Sequence, residues 1–202
     1  MNSFEKIEQK NEEKIMKSRE EVKFAGPEEP TYGLKIFKEV WQDSDGKEKT
    51  YWKYGLPDSV QVFALTKDNK VIGIHEFQPG VGTSYSHIPG ETMEEGENSI
   101  ETAGRGLIEE TGYKAGKLEQ LSSILENSGR SDRLIHIILA TECEKIGEGE
   151  KDVKLELESI PDFWKKLMSH FNEEGRLGGG NTLKAAVLAL NKIGFLKESQ
   201  DI

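Results

Sequence analysis

Between Pro89 and Tyr113 the chain reads PGETMEEGENSIETAGRGLIEETGY, a string that few conformations suit. Pro89-Gly90 is a turn signal, Gly96 a second break, and Glu97-Asn98-Ser99 opens a helix. Ile100, Ala103 and Leu107 then recur at i, i+3 and i+7, one apolar stripe able to face a core. Glu101, Arg105, Glu109 and Glu110 lie on the other side. Gly112 follows where a helix would stop, in the position that favours a left-handed cap. The stretch therefore reads as a loop, a helix and a stop, with carboxylates gathered on one face.

That face has a chemistry. Gly106, Glu109 and Glu110 sit at i, i+3 and i+4 and share one helix side. Neighbouring carboxylates repel unless a cation lies between them, and hard ions such as Mg²⁺ bridge carboxylates to substrate phosphates. Arg105 is four residues after Glu101 and four before Glu109, so it can pair with either and hold it in place. Periodicity by itself is equally satisfied by a solvated acidic face. Gly104 and Gly106 each cost a helix interior about 1 kcal/mol relative to Ala, which points either to a close backbone approach or to relaxed demands on a weak site.

The spacing shifts the balance away from a merely solvated face. The segment resembles the Nudix box, G-x5-E-x7-R-E-U-x-E-E-x-G-U with U a bulky apolar residue. Glu97, Arg105, Leu107, Glu109, Glu110, Gly112 and Tyr113 stand at the specified places. The opening Gly is replaced by Glu91, and the first Glu of the R-E-U-x-E-E core by Gly106. The resemblance implies an α/β/α sandwich with a mixed β-sheet and a Mg²⁺ cofactor that Mn²⁺ can replace. It implies metal binding by Glu110 first, Glu109 second, Glu97 in support and the Gly90 carbonyl as a further donor. Arg105 is expected to orient a glutamate, and a glutamate of a late loop, Glu148 or Glu150, to activate water.

Over roughly residues 31–193 the order of segments resembles the ADP-ribose pyrophosphatase branch. That branch cleaves nucleoside diphosphate derivatives to a nucleoside monophosphate and a phosphorylated product. It often carries Q-x-R, where this chain has Glu76-Phe77-Gln78, and Ser-Pro-Gly, where it has Asn127-Ser128-Gly129 followed by Arg130. Substrate contact is thus expected from Gln78 and Arg130, although Gln78 lacks the cation of the motif. A nucleotide- or protein-binding module without turnover is the competing reading, favoured by Gly106 and Gln78. The four histidines, His75, His87, His136 and His170, show no ligand spacing, and His87 is set apart by directly preceding Ile88-Pro89-Gly90. Trp41, Trp52 and Trp164 are expected in cores or interfaces.

Net charge is −10, which argues against nucleic-acid partners held through phosphates and suits a protein that meets phosphate esters through a divalent ion. The single cysteine, Cys143, excludes an internal disulfide and a cysteine-rich zinc site. No apolar run approaches the ~20 residues of a membrane span, and the N-terminus lacks the apolar segment of a secretory signal, so a cytoplasmic location without membrane partners is expected.

The remaining chain supplies the layers. Residues 1–30 read as a charged extension, helical or partly disordered, and 31–202 as the Nudix-like domain. Tyr32–Trp41 and Thr50–Tyr54 form one expected hairpin, Ser59–Thr66 and Lys70–Phe77 another; Gln78–Ser86 reads as a loop. Leu134–Thr141 and Val153–Ser159 are expected strands, Pro161–Phe171 a helix, and 178–180 a break. Leu183, Ala186, Val187 and Leu190 predict the core stripe of a last helix capped by Asn181 or Thr182. The family resemblance suggests a homodimer built on the aromatic-rich hairpin of residues 31–54, with the charged arm before it dispensable for assembly.

Overall fold

The computed structural model describes residues 14–22, 33–172 and 180–198. The rest of the expected N-terminal extension, its boundary at Thr31 and the break at 178–179 lie outside those residues. The contacts divide the chain into two compact units: Met1–Leu56 with Asn127–Asp132, and Pro57–Glu126 with Arg133–Ile202.

The first unit is a three-stranded antiparallel sheet, β1 (Ile15–Val22), β2 (Lys35–Gln42) and β3 (Glu48–Gly55), in that order. The expected hairpin closes through Asp43-Ser44-Asp45-Gly46. The Asp43 carboxylate accepts from the backbone N–H groups of Asp45 and Lys47, and Gly46 takes a left-handed φ of 80°. Strand β1 corrects the helix or disorder expected for its segment. Its sequence carries no apolar alternation and all eight of its residues are exposed; it forms by pairing Ile15–Val22 along β2. Arg19 from β1 lies over the Phe37 ring and 3.6 Å from Glu39. Glu39, 1% exposed, also meets Lys53 at 3.6 Å and accepts the Trp41 indole N–H at 2.9 Å, so the buried charge is matched.

The second unit carries the mixed α/β layers. Its strands are β4 (Ser59–Thr66), β5 (Lys70–Gln78), β6 (Thr83–His87), β7 (Gly90–Thr92), β8 (Tyr113–Lys114), β9 (Lys117–Leu125), β10 (Leu134–Lys145) and β11 (Lys154–Ser159). The main order is β11-β5-β4-β10-β8, with β6 on β5, β7 on β4 and β9 on β10. Strands β4 and β10 run parallel and the other pairs antiparallel. Thr83–His87, expected within a loop, is a strand because its backbone pairs with Ile74–Gln78.

The central strand β4 is buried on both faces, and its side chains divide by period two. Val60, Val62 and Ala64 point to one core, where Ala103 and Leu107 of α1 (Ser99–Thr111) meet Ile138 and Ala140 of β10. Phe63 and Leu65 point to the other, against α2 (Ile160–Asn172) and α3 (Gly180–Lys192). Phe63 and Phe163 pack edge to face at 5.6 Å. The sandwich expected from the sequence is therefore present, with α1 on one side of the sheet and α2 and α3 on the other. A short α4 (Phe195–Glu198) packs on α3. In α3 the buried stripe is Thr182, Ala185, Ala186, Ala189 and Leu190, with Leu183 partly buried against it. Val187 is 39% exposed, so the stripe is rotated from the predicted one toward the small residues, which let α3 lie close to the sheet.

Candidate active site

Helix α1 begins where Asn98 closes a capping box. Its side chain accepts from the backbone N–H groups of Ile100 and Glu101, and the Glu101 carboxylate accepts from Asn98 N–H. It ends at Gly112, whose φ of 73° is the left-handed cap the sequence predicted. Between these ends the apolar stripe is fixed by the sheet, so the orientation of the acidic face follows from core packing.

Arg105 is the hub of that face. Its Nε and Nη2 donate to the two carboxylate oxygens of Glu97 at 2.8 and 2.9 Å, Nη1 to Glu109 at 3.2 Å, and Nη2 to the Thr92 carbonyl at 3.2 Å. Glu91 lies 3.5 Å from Nη1. Glu97 further accepts from the Glu94 N–H and the Thr102 hydroxyl, tying the preceding loop to the helix. These donors, Arg105 foremost, hold the Glu97 carboxyl down at about 2, well below the usual carboxylate range. Arg105 is correspondingly pushed up, first by Glu97.

Glu110 sits beside this hub in different surroundings. Its Oε2 accepts the Gly90 backbone N–H at 3.1 Å. Burial pushes its carboxyl up to about 8; the Gly90 hydrogen bond opposes that, and the nearby charges of Glu76, Glu91 and Glu150 add to it. Gly90 is closely packed: a Cβ would lie 3.0 Å from the Val60 carbonyl oxygen and would displace the Gln61 amide.

Glu150 reaches this place through the loop after β10. Ile146 N–H and Gly147 N–H donate to the Gly112 carbonyl, and Glu150 N–H donates to that of Glu109 at 3.0 Å, so the loop is stitched to the C-terminal turn of α1. Glu148, on the same loop, is 93% exposed and pairs with Lys145 at 3.4 Å. An open groove beside Glu110 is lined by Lys145, Glu148, Glu150, Lys151, Val153 and Leu155. Gln78 donates to Glu76 at 2.6 Å, and His87 Nε2 stands 3.0 Å from the same Glu76 oxygen. Arg130 belongs to the first unit, where its carbonyl accepts from Tyr54 N–H at 2.9 Å.

Two carboxylates that helix periodicity does not reveal thus stand at the site, Glu76 and Glu91. Alternation in β5 carried a signal for the first, since Glu76 and Gln78 share a face; the second showed only as a misfit in the box. The donors are all oxygens, which suits a hard divalent ion in chemistry. Among the described residues no three His, Cys, Asp or Glu side chains already converge as a metal cage.

An α/β/α fold with a capped acidic helix and an arginine hub defines a class, and comparisons with known proteins give it a family. The NUDIX domain family model matches residues 55–174, more than half of the chain, and the chain belongs to the Nudix family. It is 35% identical over 92 residues to an ADP-ribose pyrophosphatase of Bacillus subtilis (strain 168), covering 46% of this chain and 50% of that protein. It is 35% identical over 89 residues to a methanol dehydrogenase activator of Bacillus methanolicus, covering 44% and 48%. The match thus spans about half the length of these curated relatives. A crystal structure of an ADP compounds hydrolase shares the fold, with a TM-score of 0.71 at 16% identity over 94% of this chain and 97% of that one.

Proposed function

We propose that this protein is a Mg²⁺-dependent hydrolase, with Mn²⁺ as a working substitute. It cleaves the diphosphate linkage of a nucleoside diphosphate derivative, such as ADP-ribose, to a nucleoside monophosphate and a phosphorylated product. The observation that carries this reading is the Glu110 carboxyl, anchored on Gly90 N–H among Glu76, Glu91 and Glu150. Carboxylates of one sign in the neighbourhood of a buried one are unfavourable by themselves and suit a cation-binding role. An ion held by Glu110 and Glu109, with the Gly90 carbonyl, would neutralise the diphosphate and stabilise charge that develops at phosphorus.

The chain's own residues account for the rest. Arg105 fixes Glu97 and Glu109 and so orients the acidic face. Glu150, docked on α1 through its backbone beside Glu110, is the base that takes a proton from the attacking water. Lys145 and Lys151 on the groove supply positive charge for the phosphates where Gln78 lacks the arginine of the related motif. The protein acts in the cytoplasm as a homodimer through its aromatic-rich hairpin, without nucleic-acid or membrane partners. Among the described residues no helix is long and apolar enough to cross a membrane.

Turnover of a panel of nucleoside diphosphate derivatives with Mg²⁺ or Mn²⁺, with products identified by mass, tests the reading. Formation of a nucleoside monophosphate supports it. Binding of the same compounds with no product would favour the second reading, a module that holds a nucleotide or protein partner. The feature behind that alternative is Gln78, whose amide is engaged by Glu76 and brings no positive charge.

A further inference from the structure

The two departures from the Nudix box are one event in space. A Cβ added to Gly106 would lie 2.6 Å from the Cβ of Glu91 and 3.0 Å from its Cγ. The two positions therefore cannot both carry a side chain without a shift, and the crowding atom is next to the backbone rather than at a flexible tip. Conversely, the Glu91 side chain leaves strand β7 from almost the point where a glutamate at 106 would leave helix α1. Its Oε2 is 3.6 Å from that point, within one glutamate's own reach. Where the box has Gly and Glu, this chain has Glu91 and Gly106.

We propose that Glu91 supplies the metal-ligating carboxylate that Gly106 lacks, delivered from β7 instead of α1. This rests on the metal-dependent reading above. Three observations support it. Glu91 is partly buried and held at the site: it stands 3.5 Å from Arg105 Nη1, and its Oε1 accepts the Thr92 N–H at 2.7 Å. Its strand is anchored by the pairing of Gly90, Glu91 and Thr92 with Gln61, Val60 and Ser59. Position 106 is one helical turn before Glu110, so a carboxylate launched from there is on the Glu110 side of the helix. The exchange also explains a glycine that otherwise costs the helix about 1 kcal/mol: Gly106 is the space Glu91 requires.

Mn²⁺ binding followed by electron paramagnetic resonance, with no substrate present, tests this on the full chain, with circular dichroism checking each fold. Glu91→Gln keeps size and hydrogen-bonding capacity and should weaken Mn²⁺ at least 10-fold, as even outer-shell changes do at metal sites. Gly106→Glu alone should bring no tighter binding, because it collides with Glu91. The exchange variant Glu91→Gly/Gly106→Glu restores the box order and should recover affinity to within a few-fold of the original. Unchanged affinity in Glu91→Gln, with Glu110→Gln weakened, would overturn the Glu91 assignment and leave the metal site standing. Absence of Mn²⁺ binding, or indifference to both Glu91→Gln and Glu110→Gln, would overturn the metal-dependent reading and this inference with it. If the exchange variant does not fold, Glu91→Gln decides alone.

Discussion

Both carboxylate oxygens of Glu97 accept from Arg105, and that pairing sets a pH window. The folded-state value of Glu97 lies below its ordinary 4.5, at about 2. The stabilisation from the pair is therefore fully present above about 4.5 and is lost as pH falls through about 2. Carboxyl NMR of labelled Glu97 should show it ionised well below pH 4, and Arg105→Gln should return it toward the ordinary range. A Glu97 titration unaffected by Arg105→Gln would contradict the hub geometry. Glu110 carries a different prediction: Glu110→Gln should lower metal-dependent turnover at least 10–100-fold, about 1.4–2.7 kcal/mol in barrier, with circular dichroism unchanged. Unchanged turnover would exclude Glu110 from metal binding. Much of this face was legible in sequence, because i, i+4 spacing places Arg105 against Glu109 and sets Glu110 beside it. That Glu76 and Glu91 join it was not, since they arrive from strands whose approach to α1 is a tertiary fact that neither the alternation in β5 nor the misfit in the box reveals.

The elements hold the site by two devices that differ in visibility. The start of α1 was readable from Glu97-Asn98-Ser99, and the structure closes it with an Asn98–Glu101 capping box. Asn98→Ala should cost about 0.5–2 kcal/mol in urea unfolding, with no change in the cooperativity of the transition. The other device, the docking of the loop after β10, left little trace in the sequence. Gly149 is the contact: a Cβ there would come within 2.7 Å of the Glu110 carbonyl carbon and 2.9 Å of that of Thr111. Gly149→Ala should therefore destabilise by about 1–3 kcal/mol, the range for overpacking, and should lift Glu150 from Glu109. Hydrogen exchange reads this directly, because the Glu150 amide is bonded to the Glu109 carbonyl. Faster exchange at Glu150 with retained protection in β4 is the expected pattern, and unchanged exchange would refute the docking argument. An acidic stretch with glycines reads as a loop in sequence; what it packs against depends on backbone proximity that composition does not encode.

At the scale of the whole molecule, the layered unit was legible because β4 and the first part of β10 are largely apolar and α1 has a clear stripe. Strand β1 was not, because its eight exposed residues carry no alternation and form a strand only against β2. That pairing changes what the N-terminal arm is expected to do. Removing residues 1–24 deletes β1, bares the backbone edge of β2 and takes Arg19 from the buried Glu39, so the truncated chain should lose stability and tend to associate through the open edge. The dimer itself is better tested on the opposite face of this sheet. By register, Trp52 shares that face with Ile36, Val40 and Tyr54, and it is 50% exposed. Trp41 lies on the Glu39 face and donates to it, so Trp41→Ala would disturb a buried carboxylate as well as any interface. Trp52→Ala has no such side effect. Large aromatic residues are enriched at interface cores, and truncating one that anchors a dimer costs 2 kcal/mol or more, about 30-fold in affinity. Light scattering at micromolar concentration should therefore give twice the 22.7 kDa chain mass for the full chain and a lower average for Trp52→Ala. A full chain that scatters as a monomer would defeat the dimer, and a dimer indifferent to Trp52→Ala would place its interface away from this face.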